Sequence, residues 1–144
     1  MSATLNAEML QRIAEAEAAV AALADEYLDY ARADVAEINS GITTLAETVK
    51  AGGETKPHVA RVFAVAHNIK GQAASFGFPL LTDVAASICG HTRHADGADM
   101  RMADALVMHG EALSQILEGN LRDDGGAAGA ALIARLAPVM ARED

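Results

Sequence analysis

His67, Lys70 and Gly71 stand at i, i+3 and i+4 of the segment Ala66-His67-Asn68-Ile69-Lys70-Gly71-Gln72-Ala73-Ala74-Ser75-Phe76-Gly77. Residues three and four apart share a helix face, so on a helix an imidazole, an ammonium and a bare stretch of backbone would adjoin. The opposite face is apolar, with Val62, Ala66, Ile69, Ala73 and Phe76 recurring at helical steps. At ~100° per residue, His67 points more than a quarter-turn away from that stripe. Its neighbours at i−7, i−3, i+4 and i+7 are Ala60, Ala64, Gly71 and Ala74, all small, and Phe63 at i−4 adds an apolar contact. Such a low collar lets a partner's backbone approach the ring without collision.

Imidazole is a nucleophile near neutral pH because a useful fraction of it is unprotonated. Lys70 can neutralise an oxyanion attached to the ring through a charge-assisted hydrogen bond. A phosphoryl group fits this pattern better than an acyl group. A cation is present for its charge, while no Ser, Asp or second base at matching spacing completes a hydrolytic triad. Mid-helix glycine costs ~1 kcal/mol relative to alanine, and Gly71 lies on the histidine's face rather than the core's. Gln72 and Ser75 add uncharged donors on the far flank. Spacing alone leaves an incidental surface histidine as well supported as a phosphoacceptor.

The other histidines read more simply. His58 falls in a first helical turn and is expected in solvent, and His109 lies within an apolar stripe as a satisfied core histidine. His91 and His94 are one turn apart and raise a metal site with Cys89, but Cys89 and His91 do not face each other on a helix. With no fourth ligand the pattern does not match the usual zinc spacings. Neither a metal nor a cofactor is expected, and no Gly-rich phosphate loop is present.

The elements that must position His67 are all helical. Leu5, Met9, Ile13, Ala16, Val20, Leu23, Tyr27, Ala31, Val35, Ile38, Ile42, Leu45 and Val49 form one stripe at steps of three or four. One helix over that length would run roughly 65 Å at ~1.5 Å per residue, which predicts a break near residues 25–29, where Asp25, Glu26 and Asp29 crowd around Tyr27 and Leu28. The alternative is an unbroken helix used for dimerisation. Ala51-Gly52-Gly53-Glu54-Thr55 is a stop, with glycines suited to a left-handed helix end. Thr55 reads as the N-cap of a helix over residues 56–76, with Pro57 in the first turn. Helices are predicted over residues 79–93, 100–121 and 127–141, joined by a polar loop at 94–99 and a turn at 122–126. The third of these is expected to bury Leu132, Leu136 and Val139.

The composition agrees with an all-α bundle. Of 144 residues, 51% are hydrophobic, mostly aliphatic, with no Trp and only three prolines. The net charge of −9 argues against nucleic-acid binding. No apolar run approaches the ~20 residues that span a bilayer, residues 1–11 lack the features of a signal peptide, and a single cysteine suits a reducing cytoplasm.

His67-Asn68-Ile69-Lys70-Gly71, with Ala74-Ser75-Phe76-Gly77 and the aliphatic helix after it, resembles the signature of histidine-containing phosphotransfer (HPt) domains. The family pattern is His-x-Ile/Leu-Lys-Gly, then a second Gly six residues on, and the likeness covers about residues 59–93. The resemblance implies an antiparallel four-helix bundle, here with an additional N-terminal helix: residues 1–26 as an extension and 27–144 as the bundle of a single domain. It implies that His67 is phosphorylated on Nε2 and exchanges the group with receiver-domain aspartates. Lys70 would screen the charge, and Ala60, Phe63, Ala64, Gly71 and Ala74 would receive the partner.

Response-regulator receiver domains and a (hybrid) histidine kinase are the implied partners, with no autonomous kinase activity in the chain. Phe76-Gly77-Phe78 also resembles the acceptor domain of chemotaxis-type kinases. There a glutamate on the next helix commonly holds the histidine; the matching position here falls near Cys89, with no acid on that helix after Asp83. The lead expectation is a monomeric, free-standing phosphorelay carrier. The alternatives are a dimeric phosphotransferase or kinase acceptor domain, dimerised through the N-terminal helix and labelled directly by a kinase's ATP-binding domain, and an inert receiver-binding bundle.

Overall fold

The stripe from Leu5 to Val49 contains no proline, and in the computed structural model it folds as one helix, α1, Ala3–Ala51. The structure describes the backbone of residues 3–142 and the side chains of residues 6–142. The break expected at residues 25–29 is absent. Asp25, Glu26 and Asp29 all face solvent, while Tyr27 turns inward and Leu28 is half-buried. Acidic side chains gathered on the wet face leave the i to i−4 ladder intact, and no Gly or Pro interrupts it there. The predicted additional N-terminal helix is therefore the first half of α1. The length argument failed because only the second half serves the bundle: the buried residues of α1 begin at Tyr27.

Gly52, at φ 71°, closes α1, with its N–H donating to the Val49 carbonyl at 3.1 Å and the Gly53 N–H donating to Thr48 at 3.0 Å. Thr55 precedes α2, Lys56–Ala73, but does not cap it with its side chain. Its hydroxyl instead accepts a 2.8 Å hydrogen bond from the Ala98 N–H, tying the α1–α2 turn to the loop that contains Ala98. A 3-10 turn, Ala74–Phe76, extends α2. Gly77 stops it at φ 90°, a conformation that favours glycine. The remaining helices are α3, Pro79–Thr92; α4, Met100–Glu118; and α5, Gly126–Leu136. α4 ends sooner than expected because Gly119 and Asn120 close it, Asn120 at φ 49°. Pro138 turns the end of α5 into a 3-10 turn, Ala137–Val139, and leaves Val139 half-buried rather than in the core.

The second half of α1 packs on α2 and α4, α2 packs on α3, and α3 packs on α4, closing an antiparallel four-helix ring with α5 against α4. Among the described residues all regular structure is helical. Ile38, Ile42 and Leu45 of α1 meet Val62 and Ile69 of α2, Leu81 and Ile88 of α3, and Leu106, Leu113 and Ile116 of α4 in one core. Full burial of each such side chain is worth ~1.5–3 kcal/mol. Close approach of α1 to α4 depends on Gly110. A Cβ there would collide with the Asn39 amide oxygen, whose amide nitrogen donates to the Gly110 carbonyl and to Ser114 Oγ at 3.1 Å.

His109 is wholly buried, as its place in the α4 stripe predicts. Its Nδ1 donates to the Ala105 carbonyl at 2.6 Å, and its Nε2 lies 2.7 Å from Ser87 Oγ. Because a carbonyl can only accept, the proton belongs on Nδ1, and Nε2 accepts from the Ser87 hydroxyl. That hydroxyl oxygen accepts in turn from the Ala141 N–H at 2.8 Å. His91 donates from Nε2 to the Val139 carbonyl at 2.7 Å. His91 and Ser87 thus fasten the segment after α5 onto α3.

Candidate functional site

α2 is amphipathic for a simple reason. Val59, Val62, Ala66, Ile69 and Ala73 are buried against α1 and α3, which turns the residues between them outward. His67 is exposed, and so are Ala60, Ala64, Gly71 and Ala74 around it; Lys70 is half-buried one turn along. Every residue of the collar read from the sequence therefore lies on the open side of α2 and the 3-10 turn that continues it. Gly71 carries most information. A Cβ built on it meets nothing within 4 Å, so among the described residues no contact accounts for glycine at a position where alanine would favour the helix. Space in front of it is open to a partner.

Phe63 does more than supply an apolar contact. Its ring stacks on the His67 imidazole, with centroids 5.6 Å apart and planes at 28°. The guanidinium carbon of Arg93, at the C-terminal end of α3, lies 4.9 Å from the centroid of the same Phe63 ring. A cation over an aromatic face is worth ~0.5–1 kcal/mol at an exposed site. The stack runs Arg93, Phe63, His67. Arg93 escaped the sequence reading because α2 and α3 are antiparallel neighbours only in the folded molecule. The one available signal was a basic residue closing the helix that follows the motif.

The position near Cys89, where chemotaxis-type domains carry a glutamate, is wholly buried in the core. What lies against the exposed imidazole is the ring of Phe63. On the other flank, Asn68 donates to Asp34 of α1 at 3.1 Å, and Gln72 donates to Asn68 at 3.5 Å. Burial raises the Asp34 carboxyl above its ordinary value, partly offset by the Asn68 hydrogen bond, and the nearby Glu37 charge raises it further. Tyr27, stacked on Phe76 with centroids 4.5 Å apart, is pushed up to about 12 by burial and then by the charge of Asp34. Gln72 lines the groove between α1 and α2, on the far flank as its helical angle implies.

The end of α2 is tied down from a third direction. The Gly77 carbonyl accepts from the Asp123 N–H at 3.0 Å, and the Arg122 guanidinium carbon lies 4.9 Å from the centroid of the buried Phe78 ring. Thr82 of α3 donates to the Lys70 carbonyl at 3.5 Å. The face bearing His67 is therefore held by α1, α3 and the turn after α4 while its own side stays uncovered. Among the described residues no group of three or more His, Cys, Asp or Glu side chains could hold a metal ion, and no helix is long and apolar enough to cross a membrane.

A family model described as Hpt domain matches residues 1–137. The chain belongs to the Hpt domain family. Hpt domains are phosphocarrier modules of two-component signalling that work with receiver domains and histidine kinases, and the helical bundle here is of that kind. No curated protein and no solved structure matches the chain.

Proposed function

We propose that this Hpt chain is a free-standing phosphorelay carrier whose acceptor is His67, and that it exchanges phosphate with receiver aspartates rather than consuming ATP. The observation that carries the reading is the pairing of an exposed, ring-stacked His67 with a Gly71 whose outer side is empty to 4 Å. In the forward step the Nε2 lone pair attacks the phosphorus of an aspartyl phosphate. The N–P bond forms as the bond to the aspartate oxygen breaks, and the aspartate leaves as a carboxylate. The proton of the neutral ring stays on Nδ1 during transfer. Charge on the three phosphoryl oxygens is screened by Lys70.

Ala60, Phe63, Ala64, Gly71 and Ala74 form the ground on which a receiver docks, with Phe63 also setting the plane of the imidazole. One domain covers residues 1–144 in this reading, with residues 1–26 an extension beyond the part of the chain that builds the bundle. The buried single thiol of Cys89 suits action in the reducing cytoplasm. Incubation with a phosphorylated receiver should add about 80 Da of acid-labile phosphate to the chain. His67→Gln should fold with an unchanged helical spectrum and gain none. Label on the His67→Gln protein would overturn the assignment.

A further inference from the structure

One aromatic ring is shared by two exposed groups on different helices. Phe63 of α2 stacks on the His67 imidazole, with centroids 5.6 Å apart. The guanidinium carbon of Arg93, just past the end of α3, lies 4.9 Å from the centre of the same phenyl ring. Phe63 is half-buried and packs against the core, while His67 and Arg93 stand in solvent. Among the described residues, Phe63 is the ring that lies against His67. The direction in which the imidazole points therefore depends on how firmly that phenyl ring is held.

The turn that carries Arg93 is itself well fixed. The Arg93 N–H donates to the Cys89 carbonyl at 2.8 Å, and Thr92 Oγ1 donates to the Ile88 carbonyl at 2.8 Å. His91 is bound to the Val139 carbonyl. A Cβ on Gly90 would collide with the backbone of Arg142, so the chain after α5 runs directly across the last turn of α3. Arg93 thus reaches toward α2 from a braced support. A guanidinium suits that task, since it is planar, weakly hydrated and always charged, and it stacks on an aromatic face better than an ammonium does.

We propose that Arg93 is a positioning residue for phosphoryl transfer and acts through Phe63. The cation holds the phenyl ring, and the ring holds the imidazole with Nε2 turned toward the docked donor. The proposal rests on His67 being the acceptor. It gives Arg93 no contact with the phosphoryl group or with the receiver. What Arg93 supplies is alignment of the reacting atoms, so its loss belongs in the maximal rate rather than in the receiver concentration at half-saturation.

Transfer from a receiver domain charged with acetyl phosphate, one that labels the native chain, tests this. Arg93→Ala should lower kcat roughly threefold, with KM unchanged and a melting temperature close to that of the native chain. Arg93→Lys should recover part of the rate. Phe63→Leu keeps an apolar side chain without an aromatic face, and in that background Arg93→Ala should cost nothing further. In NMR spectra of the free protein, the His67 ring protons should lose part of their ring-current shift in Arg93→Ala. A loss confined to KM, or an equal loss of rate in the Phe63→Leu background, would make Arg93 a docking residue and overturn the proposal. Phosphoramidate, a small donor that needs no docking surface, should label His67 equally fast in the native chain and in Arg93→Ala. Slower labelling of Arg93→Ala would set the guanidinium against the phosphoryl group itself and overturn the proposal too. A native chain that phosphoramidate leaves unlabelled at His67 would overturn the acceptor reading, and the positioning role with it. Normal labelling together with an Arg93→Ala kcat equal to the native value would overturn the positioning role alone.

Discussion

Gly71 and His109 show how much one residue's surroundings decide. Both depart from what their helix would choose by propensity, and the departures have opposite origins. At Gly71 the surroundings are empty, so alanine should be tolerated and should raise stability by up to ~1 kcal/mol. A long side chain should cost little stability but obstruct docking. Gly71→Leu is expected to lower kcat/KM for transfer from a phosphorylated receiver by roughly tenfold, equivalent to ~1.4 kcal/mol, with a melting temperature no lower than that of the native chain. Equal transfer rates for the Leu variant and the native chain would remove Gly71 from the docking surface.

At His109 the surroundings are full. Burial holds its imidazole below the ordinary histidine range, against the raising effect of the Ala105 carbonyl and with a smaller lowering effect from His91. The unfolded chain takes up that proton near pH ~6.5 while the folded chain does not. Stability from the neutral ring is therefore present above ~6.5 and is lost as pH falls below it. Urea midpoints of the native chain should decline from about pH 7 to pH 5, and those of His109→Gln should decline less steeply.

At the scale of elements, α1 is two objects in one helix. Its second half is a bundle member whose distance from α4 is set by Gly110 and Asn39. Gly110→Val should force the two helices apart, at ~1–3 kcal/mol, the usual range for overpacking. A fall in the thermal midpoint checks this, and Asn39→Ala in the same chain should recover part of the loss because it removes the atom the new side chain meets. The first half makes no such contribution, and exposed substitutions there, such as Val20→Ala, should leave the midpoint nearly unchanged. α2 is likewise divided, but around its circumference rather than along its length. One side carries Val62, Ala66 and Ile69 into the core, and that anchoring is what holds His67 steady on the other.

For the molecule as a whole, a ring of antiparallel helices places a helix face where a partner can reach it. The His67 face is flanked by α1 through Asp34 and Asn68, and by α3 through Arg93 and Phe63. Each flank supports the site without roofing it. The proposed carrier role requires that openness, since docking of each receiver must be reversible and of modest area.

Much of this was legible in the sequence because the signals are local. Helical periodicity, the Gly52 and Gly77 stops, the turn at 122–126 and the spacing of His67, Lys70 and Gly71 all act within one or two turns, and such short-range rules fix element type and the facing of side chains. The buried state of His109 and the exposure of Ala60, Ala64 and Ala74 followed in the same way. What the tertiary structure decided involves residues far apart in the chain. α1 stays whole because the bundle needs only its second half, which no local pattern near Asp25 reveals. Thr55 answers Ala98, and Arg93 reaches Phe63, because antiparallel packing brings together segments whose separation in sequence carries no periodic signal.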